Sequence, residues 1–273
     1  MSAPSLYEAI KDDFGYLQLG RAAECFATLA ETADREGWSH IEYLARVLAE
    51  QVASTTNRRL AARLRYARFP YRRSVEDYDY EFQPSVDRKM VADLATLRFI
   101  TENRPVLFLG QPGCGKTHLA VALAIRAVEA GYRGYFSTAD DMAHALVAAR
   151  RDGTFAHRLR TYTAPTVLVL DDVGLLPTPP GGAAEIFHVV SNRYERGHPT
   201  LVTTNRGLPE WGTVFGDPVV AGAILDRLMH NAVVFNIKGP SWRMRQHNAL
   251  ETASRSSDPP EDRPPNGNGR RRR

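Results

Sequence analysis

Apolar residues keep two different periods along this 273-residue chain. Up to about residue 75, Leu17, Phe26, Leu29, Ile41, Leu44, Val47 and Leu48 recur at helical spacing, with turn signals at Gly20 and Gly37–Trp38, so the spacing predicts a small helical unit. Residues 76–103 predict a connector, acidic and aromatic at first and then one amphipathic helix from about Asp87 to Ile100. From Arg104 the pattern becomes short apolar runs separated by helical segments. The runs are Pro105–Leu109, Gly134–Ser137, Thr166–Leu170, Pro199–Thr203 and Val233–Ile237. Such alternation predicts an α/β unit over 104–249, a five-stranded parallel sheet covered by helices on both faces. Residues 250–273 are polar and rich in Pro, Gly and Ser, which predicts a disordered tail. The expected division is therefore 1–75, 76–103, 104–249 and 250–273.

Composition narrows this little. A hydrophobic share of 43% suffices for a folded core. No run approaches the roughly 18 apolar residues of a membrane span, so no membrane partner is expected. The opening MSAPSLYEAIKDDFG lacks a basic-then-apolar signal pattern and reads as mature sequence. Two cysteines, Cys25 and Cys114, make no disulfide framework, which points to the cytoplasm.

The stretch GQPGCGKT, Gly110 to Thr117, fits G-x-x-x-x-G-K-[ST], with an apolar run before it and the amphipathic segment HLAVALAIRAVEAG after it. Gly113 and Gly115 let backbone N–H groups turn inward around the β- and γ-phosphates without Cβ clashes. The start of the following helix adds a favourable partial charge for the anion. Gly110, Gly113, Cys114, Gly115, Lys116, Thr117 and His118 are thus the expected nucleotide contacts, with Lys116 on the β/γ-phosphates of ATP and the Thr117 hydroxyl on Mg²⁺. TVLVLDDVG, Thr166 to Gly174, ends a buried strand in two acids. Asp171 is the expected second Mg²⁺ residue and Asp172 the group that polarises the attacking water. The next strand ends at Asn205, expected to orient water or report the nucleotide, with a plain turn-forming Asn as the alternative. Arg227 lies on a helix and is the candidate for neutralising transition-state charge in a neighbouring subunit's site. Arg243, after the last strand, is a further candidate nucleotide contact. Either arginine paired with a surface acid is the bland alternative.

Charge is unevenly spread. The net +4 hides a first fifty residues with four basic and nine acidic side chains, followed by seven arginines and no acid over residues 51–75. These are Arg58, Arg59, Arg63, Arg65, Arg68, Arg72 and Arg73, interleaved with Leu60, Leu64, Tyr66, Ala67, Phe69 and Tyr71. On one helix Leu60, Leu64 and Ala67 share a face, while Arg58, Arg65 and Arg72 repeat every seven residues on another. Such a row is the electrostatic footprint expected for a duplex DNA backbone, and nothing in it signals base readout. A solvated face that pairs with the acidic first fifty residues is the alternative.

Seven blocks, "NRRLAARLRYARFP", "DRKMVADLATLRFI", "GQPGCGKTHLAVALA", "VLDDVG", "TTNRGLPEWGTVFGDP", "AGAILDRLMHNA" and "IKGPSWRMR", occur in this order between about residues 5 and 247. In them the chain resembles the IstB-like ATPases, AAA+ helper proteins of insertion sequences related to the DnaC helicase loaders. The resemblance implies a small AAA+ P-loop NTPase unit behind a helical N-terminal domain, ATP-dependent self-assembly on target DNA with ATP at subunit interfaces, and recruitment of a separate partner transposase. It implies Lys116 and Thr117 in the phosphate loop, Asp171 and Asp172 at the magnesium and water positions, Asn205 as sensor and Arg227 as finger. Asp172 stands where many AAA+ proteins carry Glu, which predicts slow hydrolysis. The chain runs only a short way past the fifth apolar run, which predicts no helical lid. A DnaC-like helicase loader is the rival reading, distinguished by the Arg-rich segment where a loader needs a helicase-docking one. An uncoupled NTPase or kinase ranks last, because no acceptor site is visible.

Overall fold

The computed structural model describes residues 5–242, 244 and 245; Arg243 and the expected tail at 250–273 lie outside the described residues. Three helices open the chain: α1 (Leu6–Tyr16), α2 (Gly20–Glu36) and α3 (His40–Ala67). Ser5 with Glu8 and Ser39 with Glu42 form capping boxes that satisfy the first N–H groups of α1 and α3. Gly37, at φ 69°, ends α2 in the left-handed conformation that glycine adopts without strain. Ala22, Phe26 and Val47 form a small core, with Leu29 and Tyr43 packed against it. The amide oxygen of buried Gln51 accepts from the Ala22 N–H at 3.0 Å, tying α3 to the start of α2.

The arginine-rich stretch is not one helix. The helix ends at Ala67, Arg68 sits at φ 56°, and Pro70 follows, so Arg72 and Arg73 stand on an extended segment away from the row formed by Arg58, Arg59 and Arg65. Proline lacks the N–H that a continuing helix needs and pushes the residue before it out of the helical region. The expected single helix from Asp87 to Ile100 is likewise two, α4 (Arg88–Ala95) and α5 (Arg98–Thr101). Leu97 at φ 68° breaks them, and the turn buries Leu94, Phe99 and Ile100 in the core below the sheet.

Five strands follow: β1 (Val106–Gly110), β2 (Gly134–Thr138), β3 (Val167–Val173), β4 (Thr200–Thr204) and β5 (Val233–Ile237). All pairings are parallel, in the order β2-β3-β4-β1-β5. Between the strands run α6 (Lys116–Glu129), α7 (Ala139–Arg151), α8 (Phe155–Thr163), α9 (Gly182–Glu195), α10 (Trp211–Phe215) and α11 (Pro218–Met229). Alternate side chains feed two cores, as a strand's period of two requires. Val106, Phe108, Val167 and Val169 pack with Leu119 and Leu123 of α6, and with Val91 and Leu94 of α4. Leu107, Leu168 and Leu170 pack with Met142 of α7, Ile186 of α9 and Ile224 of α11 on the other face. This is the AAA+ arrangement of a parallel sheet between helices behind a helical N-terminal region.

Arg193 of α9 is fully buried, and among the described residues it has no carboxylate partner. Its guanidinium donates to the carbonyls of Tyr162, Pro165, Thr166 and Pro199 and to the Thr200 hydroxyl, at 2.7–3.1 Å, gathering the ends of α8, β3 and β4 at one point. Burial pulls the group down to about 9, which leaves it charged at neutral pH. Arg193→Ala would strand these acceptors, and we expect it to cost more than about 3 kcal/mol in urea unfolding.

Candidate nucleotide site

The phosphate loop joins β1 to α6 at the carboxyl edge of the sheet, where open α/β sheets place ligands. Gly113 and Gly115 sit at φ 80° and 92°, so the loop needs their conformational freedom. They also have neighbours too close for a side chain. A Cβ at Gly115 would strike the Tyr78 ring, and one at Gly113 the side chain of Ser241. Lys116 is buried, and its ammonium donates to the Gly110 and Gln111 carbonyls at 2.9 Å, folded back along the loop.

Beneath the loop lies a hydroxyl–carboxylate network. The Thr117 hydroxyl donates to Asp171 Oδ1 at 2.8 Å, and the Thr203 hydroxyl donates to the same oxygen at 2.5 Å. Thr203 Oγ1 in turn accepts the Asp172 N–H at 2.9 Å. Burial raises the Asp171 carboxyl above its ordinary range, against the pull of these two hydroxyls. The pairing of β3 with β4 shifts register between Leu170 and Val173, and Asp172 there takes φ 55°. The irregularity separates the two acids. Asp171 is buried in the network, while Asp172 faces the cavity that Lys116, Thr117 and Asn205 also line.

That cavity measures about 450 Å³. Its far wall comes from the 76–103 segment and from the residues after β5. The Tyr78 hydroxyl donates to the Cys114 carbonyl at 3.1 Å, and the Trp242 N–H donates to the Gly113 carbonyl at 2.9 Å. Phe82 meets Trp242 edge to face at 5.1 Å, and Gln83 donates to the Pro240 carbonyl at 2.8 Å. Cys114 is a buried free thiol, raised by burial; its carbonyl accepts from Tyr78, and its sulfur lies 4.0 Å from the Lys116 ammonium. His118 Nε2 lies 2.9 Å from the Ser74 carbonyl; since a carbonyl only accepts, that nitrogen carries the proton.

The residues fit a magnesium nucleotide. A glycine-lined loop closes one end of the cavity, the Thr117 hydroxyl and the Asp171 carboxylate converge beside it, and Asn205 Oδ1 is buried with no hydrogen-bond partner among the described residues. Gly110, Gly113, Cys114, Gly115, Lys116, Thr117, His118, Asp171, Asp172 and Asn205 therefore gather at one edge of the sheet. Arg227 does not. It donates to the Ala223 carbonyl at 3.0 Å, lies 4.7 Å from the Phe187 ring centroid, and lines a separate cavity with Arg193, His198 and Asn231 near the opposite edge. Sequence reasoning missed Thr203, Tyr78, Phe82, Gln83 and Trp242. The aromatic cluster of the connector was the available signal for Tyr78 and Phe82; Thr203 gave none.

Residues 13–249 match the family described as IstB-like ATP binding protein. A protein of insertion sequence IS5376 from Geobacillus stearothermophilus, named for ATP binding, is 38% identical over 235 residues, 86% of this chain and 93% of that protein. A similarly named protein of insertion sequence IS21 from Pseudomonas aeruginosa is 36% identical over 235 residues, 86% and 88% of the two chains. Among solved structures, AMPPCP-bound DnaA from Aquifex aeolicus is similar with a TM-score of 0.53 at 22% identity, over 69% of this chain and 56% of that one. DnaI is similar with a TM-score of 0.52 at 22% identity, over 61% and 91%. At these identities the two structures speak to the fold alone. Among the described residues no helix is long and apolar enough to cross a membrane.

Burial holds the His118 imidazole below its ordinary value, so the unfolded chain takes up a proton near pH 6.5 before the folded one does. Stability from this group is complete above pH 6.5 and falls as the pH drops below it. We expect His118→Gln to lose less stability than the parent protein between pH 7.5 and pH 5.5, read by urea unfolding at both values.

Proposed function

The chain belongs to the family of IstB-like ATP binding proteins, and from that premise we propose an ATP-dependent transposition helper that assembles on duplex target DNA and recruits or stimulates a separate transposase, with hydrolysis as the switch. The observation that carries the nucleotide half is the Thr117–Asp171–Thr203 network under a phosphate loop of the right sequence. Thr117 and Asp171 would hold Mg²⁺, which when bound neutralises charge on the β- and γ-oxygens. Lys116 would exchange its two carbonyl partners for phosphate oxygens. Asp172, released from the buried pair by the register shift, accepts a proton from the attacking water, and Asn205, whose buried oxygen has no hydrogen-bond partner among the described residues, orients that water. A carboxylate one methylene shorter than Glu reaches less far, which suits a slow timer.

Arg227 lies near the opposite edge of the sheet from its own chain's loop, so it serves as a finger only toward a neighbouring copy. This favours nucleotide held at subunit interfaces of a homo-oligomer. For DNA we assign the helical row of Arg58, Arg59, Arg63 and Arg65 within residues 1–75. Arg58, Arg59 and Arg65 are exposed, and Arg63 is half-buried beside the Gly131 turn. Many weak phosphate contacts per subunit then add through assembly. The helicase-loader reading keeps the same nucleotide site but demands a preference for single strands.

Two variants test these halves separately. Lys116→Ala is expected to abolish ATP binding and ATP-dependent assembly in calorimetry and light scattering; unchanged assembly defeats the switch. Changing Arg58, Arg59, Arg63 and Arg65 together to Ala is expected to weaken duplex binding and lower its salt slope by about 3.6 units, near 0.9 per lost contact. Tighter binding to single strands than to duplex of equal length would favour the loader.

A further inference from the structure

Arg73 belongs to the nucleotide rather than to DNA: we infer that its guanidinium is a phosphate ligand of the ATP bound in the same chain. The inference rests on the nucleotide reading of this cavity and assigns it one more residue. Six residues past the end of α3, Arg73 stands at the rim of the 450 Å³ cavity, not on the helical row it follows in sequence. Its position is fixed by its neighbours. The next residue's carbonyl, that of Ser74, is bonded to His118 in the first turn of α6, directly after the magnesium-side Thr117. Ser74 and Asp77 close a tight turn, with the Ser74 N–H donating to Asp77 at 2.7 Å and the Asp77 N–H returning to the Ser74 hydroxyl at 3.3 Å. One residue on, Tyr78 is pinned to the phosphate loop itself.

Charge points the same way. Among the described residues lining this cavity, the cations are Arg73 and Lys116, against three carboxylates, Asp77, Asp79 and Asp172. Asp79 is already paired with Arg245 at 3.6 Å. Even with Mg²⁺ bound, a triphosphate in a cavity with this balance keeps negative charge that a second side-chain cation beside Lys116 would neutralise. Arg73 is exposed, makes no ion pair within 4 Å among the described residues, lies 6.0 Å from the Tyr71 ring centroid, and is near enough to Asp77 and His118 for its charge to act on both. A planar guanidinium in that state is free to turn onto phosphate oxygens with two parallel hydrogen bonds.

The test uses the full chain and calorimetric titration with Mg²⁺-ATP and Mg²⁺-ADP, without DNA. Arg73→Gln is expected to weaken both nucleotides about tenfold, the loss of one charge-assisted contact, and Arg73→Lys by less. The salt slope of nucleotide-free duplex binding is expected to match the parent protein. Parental nucleotide affinity in Arg73→Gln overturns the inference. A slope lowered by about one unit at parental nucleotide affinity returns Arg73 to the DNA row. If the parent protein itself bound no ATP, the nucleotide reading would fall first, so the two failures are distinguishable.

Discussion

One carboxylate oxygen organises the working edge of this protein. Asp171 Oδ1 accepts from a hydroxyl on α6 and from a hydroxyl on β4, and so fixes three elements to one another at the point where the phosphate loop turns into its helix. A buried carboxylate that is half-satisfied would be costly, and two short hydroxyl contacts offset that cost. The Thr203 oxygen then holds the Asp172 backbone, which lets β3 leave its register and present the second acid to the cavity. The different surroundings of two adjacent aspartates thus follow from a single threonine across the sheet.

The sheet was readable because its signals are physical and repeated. Alternating short apolar runs dictate a doubly covered parallel sheet, and the β5 run at Val233–Ile237 matches the strand residue for residue. The place of the Gly110–Thr117 loop between β1 and α6, and of the acid pair near the end of β3, was legible for the same reason, since glycine spacing and a strand-terminal acid pair mark these positions. Thr203 was not, because a threonine in TLVTT is indistinguishable from the β-branched residues that strands favour anyway. Arg193 was not, because an arginine in SNRYERG reads as surface until five acceptors are seen around it. The break at Leu97 had no glycine or proline to announce it; burial of Leu94, Phe99 and Ile100 overrode a continuous helical period.

The connector proved to be part of the machinery's frame. Tyr78, Val86, Val91 and Leu94 share a core with the sheet, and Tyr78 touches the loop that the sequence alone assigns to phosphates. From the other direction, Ser241 and Trp242 close on Gly113. The loop is therefore gripped by segments more than 150 residues apart in sequence, joined to each other through Gln83 and Pro240. Local composition carries no trace of such a closure, because it depends on where two chain ends of the core happen to meet.

The length of α3 has a mechanical meaning. Its 28 residues make a rod of about 42 Å, at 1.5 Å per residue. Tyr66, beside Tyr135 of β2, and buried Ala67 seat one end on the sheet, while the other end carries the small core around Phe26. A tilt of about 10° at the seated end would swing the far end by about 7 Å, on the order of one to two helix turns of rise. A small rotation at the sheet-seated end therefore becomes, at the far tip of this lever, a displacement larger than a helix turn.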